Sequence, residues 1–410
     1  MNYIKRHAES TIERLGKMYP AIMVAGPRQV GKTTVLKNLC KDHKFLSFDD
    51  IRIMQYATQS PDLFFKTHIP PVLLDEVQYV PEIFRYIKLH ADQENKHGMF
   101  YMTGSQSFHL MKGATESLAG RVGILKLLGL SLREIMGKDF FRPFLPTEDF
   151  IKESQSAKPK TAISNLWNII HKGSMPKLYT ADFTDEDWAQ YYTDYVSTYI
   201  EKDVRALTRI GEERAFMQFM RLLAANTSQM INFSSIASEL GKEINTIKSW
   251  VSILENSGII YILPPYHSNI NKRIVKTPKV YFLDTGLCAY LSGWYSSEQL
   301  YLGAMSGAIL ETFVISEIIK SYRNNGHDTS MRLSFYRDKE QREIDLIIEE
   351  NGTLYPIEIK KTTNPSSKDC TAFSVLAKEN KKVGDGAVIC SCDGVIFLDK
   401  NIRAIPIEYI

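Results

Sequence analysis

Five apolar residues, AIMVA (Ala21 to Ala25), run straight into GPRQVGKTT (Gly26 to Thr34), and the helix-compatible run VLKNLC follows. Few local patterns restrict a chain more. A strand, a glycine-spaced loop and a helix must succeed one another without a gap. The glycines let backbone N–H groups curl around phosphate oxygens, and the helix that follows points the positive end of its dipole at the same place. Lys32 then reaches the β- and γ-phosphates, and the Thr33 hydroxyl is a ligand for Mg²⁺. Gly26, Pro27, Arg28, Gln29, Val30, Gly31, Lys32, Thr33 and Thr34 are the candidate ATP-binding residues.

The segments FLSFDD, PVLLDE, MFYMTGS and VGILKLLGL are further short apolar strands, separated by helical stretches up to about Gly137. This rhythm predicts an α/β domain with a mainly parallel sheet covered on both faces. In such a sheet the carboxyl ends of the strands open onto the ligand crevice. PPVLLDEVQYV therefore delivers Asp75 and Glu76 there, Asp75 to hold Mg²⁺ through water and Glu76 to orient the attacking water. FYMTGSQ delivers Thr103 and Ser105, either of which can contact a γ-phosphate or the water, or merely cap a turn. LAGRVG adds Arg121, either a stabiliser of the transferring phosphoryl group or a solvated loop arginine.

GPRQVGKTT, LLDEVQYVP, YMTGSQSFHLMKG, ESLAGRVGILKLLGLSLREI and YVSTYIEKDVRAL together resemble a family of prokaryotic AAA-type ATPases that carry a conserved C-terminal domain of unknown function. The likeness runs in order over nearly the whole chain. It implies an ASCE-type P-loop core with Lys32, Thr33, Asp75 and Glu76 in the roles above, and it favours Ser105 and Arg121 as catalytic residues. One departure is Gly129, where the family usually has proline before its LSxxE segment. Only the chain path should be affected.

The 410 residues allow two or three domains. The expected division is 1–150 for the ATPase core, 161–280 for a helical and winged-helix region, and 281–410 for a C-terminal α/β domain. KESQSAKPK, Lys152 to Lys160, reads as a loop or linker. With 50 basic against 47 acidic residues, bulk charge does not argue for nucleic-acid binding, so any basic surface is local. Five scattered cysteines fit a reducing compartment. No stretch approaches the ~18 apolar residues of a spanning helix. The expectation is a cytoplasmic protein without a membrane partner.

INFSSIASELGKEINTIKSWVSILENSGIIYILPPY, Ile231 to Tyr266, has the rhythm of a helix-turn-helix. Ser234 or Ser235 is the expected cap of its first helix, Gly241 supplies the turn, and the second helix ends at Gly258. With the basic run NKRIVKTPK after it, the region resembles a winged helix. Lys248, Lys272, Arg273 and Lys276 would then meet DNA phosphates. Protein docking is the alternative use of such a module.

The last constraint is REIDLIIEENGTLYPIEIKK, Arg342 to Lys361. Asn351-Gly352 predicts a two-residue type I′ hairpin. That register sets Asp345 opposite Glu358 and Glu343 opposite Lys360, with Ile344, Leu346, Ile348, Tyr355, Ile357 and Ile359 on the reverse, apolar face. Pro356 falls where no ladder hydrogen bond is needed. Two carboxylates so close repel unless a cation sits between them, so Asp345 and Glu358 form a possible second metal site. An acid followed by E-x-K resembles the PD-(D/E)xK, restriction-endonuclease-like nucleases, and this likeness implies catalytic roles for Glu311, Asp345, Glu358 and Lys360. The proline usual before the first acid is Ile344 here. The alternative is a solvated charged face. Three functions follow: an ATP-hydrolysing switch acting on nucleic acid, an ATP-gated Mg²⁺-dependent endonuclease, or an ATP-binding scaffold. A homo-oligomer is compatible with each.

Overall fold

The computed structural model describes residues 3–94, 96–105, 117–161, 165–199, 212–267 and 277–410. Its first sheet holds β1 (Ala21–Ala25), β2 (Lys44–Ser47), β3 (Val72–Asp75), β4 (Phe100–Gly104) and β5 (Val122–Lys126). All its strand pairs are parallel, in the order β2-β3-β4-β1-β5. Alternate side chains divide between two cores. Ile22, Val24, Leu73 and Leu125 face one, and Met23, Leu74, Phe100 and Met102 face the other. That division is the physical content of a sheet covered on both faces. Strand β4 lies between the loop-bearing β1 and the acid-bearing β3, the order of the ASCE-type core.

The helix-turn-helix forms as predicted, from Phe233–Leu240 and Ile244–Asn256, with Gly241 in the left-handed conformation at φ 60°. The cap differs: Asn232, not Ser234 or Ser235, accepts a hydrogen bond from the Ser235 N–H at 3.0 Å. An antiparallel pair follows, β6 (Ile260–Leu263) with β7 (Lys279–Phe282). Lys272, Arg273 and Lys276 lie outside the described residues.

The C-terminal sheet is mixed and has seven strands: β8 (Leu333–Arg337), β9 (Glu343–Glu350), β10 (Thr353–Ile359), β11 (Lys382–Val383), β12 (Gly386–Cys390), β13 (Ile396–Asp399) and β14 (Ile402–Pro406). The helix Ser306–Asn324 packs on it and also meets β5 of the first sheet. Its Lys320 donates to the Leu130 carbonyl at 3.0 Å, and its Glu317 accepts from the Leu132 N–H at 2.7 Å. One apolar core therefore continues from Ile22 and Val24 through Trp250 to Ile318 and Ile389. The expected boundary at 280 falls inside β7, and that at 150 falls inside the helix Glu148–Ser156.

One local expectation fails for an identifiable reason. KESQSAKPK is helical up to Ser156, because Thr147 caps the helix and Phe150, Ile151 and Ser154 share a buried face among polar neighbours. Ser367–Lys378 is wound as a 3-10 helix.

Candidate functional site

The carboxyl edge of the first sheet gathers most of the expected residues. Gly31 takes φ 90° at the mouth of the helix Lys32–Leu39, a backbone state that only glycine adopts cheaply. The Lys32 ammonium is buried against the loop it serves, donating to the Gly26 and Pro27 carbonyls at 3.0 and 2.7 Å. The Thr33 hydroxyl donates to Asp75 Oδ1 at 2.7 Å, and the Thr103 hydroxyl donates to the same oxygen. Thr103 also accepts the Glu76 N–H at 3.1 Å. One hydroxyl on the intervening strand thus fixes both acids. Thr33 and Asp75 form an oxygen-only pair, the donor chemistry that suits Mg²⁺.

Glu76 sits at φ 57°, a conformation uncommon outside glycine and frequent where function demands it. This turns its carboxylate toward Ser105, whose hydroxyl donates to Glu76 Oε2 at 3.2 Å. Gln78 completes the group by donating to Glu76 Oε2 and, at 3.3 Å, to Ser105 Oγ. Gln78 was missed in the sequence, although its place two residues after the acid, in the one-turn helix Val77–Tyr79, put it in reach.

Arg121 is the exception. It immediately precedes β5, level with the start of β1, whereas the phosphate loop leaves β1 at its other end. At ~3.3 Å per residue the two lie roughly 16 Å apart. Its guanidinium is paired with Asp92 and donates to the Ala119 carbonyl. The structure therefore does not bring Arg121 to this chain's own phosphate loop.

Arg6 and Glu134 support the loop from behind, and sequence reasoning missed both. The buried Arg6 donates to the carbonyls of Val30 and Leu128, each at 2.8 Å, and to Glu134 at 3.2 Å. Glu134 also closes a capping box with Ser131. The family's departure at Gly129 has a packing reason: a Cβ there would lie 2.1 Å from Ser174 Oγ. Beside the loop opens a largely apolar cleft of about 350 Å³, lined among others by Tyr3, Ile4, Gln29, Thr34, Pro176 and Thr180.

Comparison with known proteins agrees with this geometry. Residues 18–136 match the AAA domain family. This segment is a P-loop AAA-type ATPase domain. Residues 163–298 and 306–410 match two domains of unknown function, DUF8612 and DUF4143. Uncharacterized proteins of Mycobacterium bovis and Mycobacterium tuberculosis are each 27% identical over 363 residues, covering 88% of this chain and 75% of theirs. Among solved structures, a Walker-type ATPase of Pyrococcus abyssi is 13% identical, covering 70% of this chain and 96% of its own, with a TM-score of 0.43. AMPPCP-bound DnaA from Aquifex aeolicus is 15% identical, covering 60% of this chain and 85% of its own, with a TM-score of 0.28. Scores this low carry no inference about the present chain. Among the described residues, no helix is long and apolar enough to cross a membrane.

Outside the ATPase domain, the hairpin of the C-terminal sheet has the predicted turn and register. Asn351 and Gly352 take φ 49° and 75°, and Thr353↔Glu350 through Ile357↔Leu346 all pair as expected. The ladder stops there, one step short of an Asp345:Glu358 pair. β9 is bulged against β8 between Ile347 and Ile344, which turns Asp345 out of simple alternation. The Asp345 carboxylate instead accepts the Ile359 N–H at 2.8 Å.

The charged face is not solvated either. Asp345 is 8% and Glu358 7% exposed. Burial first, and Asp345 second, push the Glu358 carboxyl up to about 8 and that of Glu311 up to about 7. Burial also raises Asp345. Lys360 donates to Glu358 Oε1 at 2.6 Å, while Glu358 Oε2 has no hydrogen-bond partner. Glu311 is engaged elsewhere, by Lys279 at 3.0 Å and the Tyr281 hydroxyl at 2.6 Å. Among the described residues, no group of three or more His, Cys, Asp or Glu side chains is arranged to hold a metal ion. The four candidate nuclease residues are neighbours, but they do not form the single ligand set that the resemblance implied.

Proposed function

We propose that the chain is a Mg²⁺-dependent ATP-hydrolysing switch that acts on or with nucleic acid. The observation that carries the ATPase mechanism is the bridge from Thr33 through Asp75 and Thr103 to Glu76. Mg²⁺ held by Thr33 and Asp75 would neutralise phosphate charge. Lys32 binds the phosphates, and the apolar cleft at Tyr3, Ile4 and Pro176 receives the base. Glu76, aimed by Gln78 and Ser105, orients the water. ATP turnover is the test: normal hydrolysis by both Lys32→Ala and Glu76→Gln would end this reading.

The nucleic-acid part is supported by the helix pair Phe233–Leu240 and Ile244–Asn256 with the β6–β7 pair after it. Salt-dependent retention of duplex DNA in a gel-shift is expected, and its absence removes that part. If the protein assembles with copies of itself, Arg121 would exchange Asp92 for a neighbour's phosphate loop. Turnover per chain should then rise with protein concentration in wild type and not in Arg121→Ala.

A second reading, a metal-dependent nuclease at Asp345, Glu358 and Lys360, is favoured by one observation, the buried and unpartnered Glu358 Oε2. A divalent cation between Asp345 and Glu358 would satisfy that oxygen. Plasmid nicking in Mn²⁺ that disappears in both Asp345→Ala and Lys360→Ala is the expected result. Nicking that survives both excludes it.

A further inference from the structure

We infer that Lys279 is the resident cation of the carboxylates Glu311 and Glu343, a tethered ammonium that closes this flank of the C-terminal sheet to a divalent metal ion. Lys279 closes the basic run NKRIVKTPK, which suggests a solvated phosphate contact. The structure buries it instead, at 3% exposure. Its Nζ lies 3.0 Å from Glu311 Oε1 and is also paired with Glu343. Burial pulls this ammonium down, but Glu311, Asp345 and Glu343 together hold it above its ordinary range.

The ammonium cannot easily leave. Lys279 is fixed on both sides of its strand, paired with Leu263 of β6 and bridged to Met230. Its Nζ also lies 5.5 Å from the centre of the Phe335 ring. Arg337 neutralises the outer oxygen of Glu343 at 3.2 Å, and Tyr281 donates to Glu311 Oε1, the oxygen that Lys279 also reaches. A divalent ion entering here would have to displace the lysine, because two cations cannot share these oxygens without strong repulsion in a low-dielectric site. Glu311 is thereby withdrawn from any metal set. Where a metal goes rests on the second reading above, which leaves it the Asp345–Glu358 flank; the exclusion at Glu311 does not depend on that reading.

The experiment measures Mn²⁺ binding to the full chain by the loss of the free-ion electron paramagnetic resonance signal. Lys279→Ala should bind Mn²⁺ at least about tenfold more tightly than wild type, the scale on which groups around a metal site act. Adding Glu311→Gln to that variant should cancel the gain. Lys279→Arg, which keeps the charge, should bind no better than wild type. No gain in Lys279→Ala, or a gain that Glu311→Gln leaves intact, overturns the inference. If Lys279→Ala is unfolded in chelator, recovery of its folded circular dichroism by Mn²⁺ supports the inference, and no recovery overturns it. The second reading is scored separately: wild-type Mn²⁺ binding lost in Glu358→Gln supports it, and no wild-type binding sinks it while leaving the Lys279 result to stand.

Discussion

The phosphate-loop site and the C-terminal acid cluster both announce themselves as short motifs, yet only the first assembles as its motif implies. At the carboxyl edge of the first sheet, site residues are partnered with one another: Thr33 and Thr103 with Asp75, Gln78 and Ser105 with Glu76. In the C-terminal sheet Glu358 keeps the motif's own Lys360, but Glu311 is partnered with Lys279, a cation the motif does not contain, and Asp345 with a backbone N–H. The difference lies in how each fold brings residues together. A parallel sheet delivers every strand end to one crevice, so convergence follows from topology. A hairpin fixes only its own register, and one extra residue in β9 is enough to re-aim an acid.

The two regions should differ most in turnover. Lys32→Ala should lower ATP hydrolysis by ~10²–10³-fold through lost charge stabilisation. Glu76→Gln should lower it by ~10²–10⁴-fold through the water it orients. Asp345→Asn in a steady-state phosphate-release assay should stay close to wild type. A comparable loss in Asp345→Asn would mean that the two regions form one catalytic unit.

Support from behind the loop comes next in size. Arg6→Ala leaves Glu134 buried without its guanidinium, in a position also bonded to the His7 N–H at 2.6 Å. Removing one member of a buried ion pair costs roughly 3–5 kcal/mol. Chemical denaturation should show that loss, together with weaker nucleotide binding, because the Val30 carbonyl is released as well. Stability within about 1 kcal/mol of wild type would show that the loop holds itself, against the known cost of leaving a buried group unpaired.

Thr103→Val tests the bridge within the site. The two side chains are nearly isosteric, so the change removes one hydroxyl, leaves the Glu76 N–H without its partner and leaves Asp75 with Thr33 alone of its two hydroxyl donors. At about 1–3 kcal/mol for an unsatisfied group, turnover should fall by about tenfold with little change in the affinity for ADP. Equal loss of ADP affinity would place Thr103 in general folding rather than in the alignment of the two acids.

Legibility followed the same division. The strands, the loop and both acids of the first site were readable, because apolar runs ending in polar residues are the direct signature of a parallel sheet. Gln78 and Arg6 were not, since neither belongs to a spacing rule: one acts through a single 3-10 turn, the other across 24 residues to Val30. Arg121 was favoured by the family resemblance, although its place just before VGILK already put it at the strand end opposite the ligand crevice. The hairpin's register was fully readable from Asn351-Gly352 and Pro356, whereas the bulge opposite β8 depends on a third strand and left no mark in the hairpin itself. Lys279 was not singled out because its partners lie 32 and 64 residues away along the chain.

The smallest expected effect probes the part of the C-terminal region that was read correctly. Gly352 sits at φ 75° with nothing within 4 Å of where a Cβ would stand, so Gly352→Ala introduces backbone strain without a clash. Forcing an L-residue into that conformation costs roughly 1 kcal/mol, partly offset by the lower entropy of the unfolded chain. The unfolding midpoint should drop slightly, while Mn²⁺ affinity and ATP turnover stay unchanged, because the turn lies at the far end of the ladder from Asp345 and Glu358. A change in metal affinity would show that the hairpin's register, and not the bulge, positions those acids. The hairpin would then control the acid site as directly as the first sheet controls the phosphate loop.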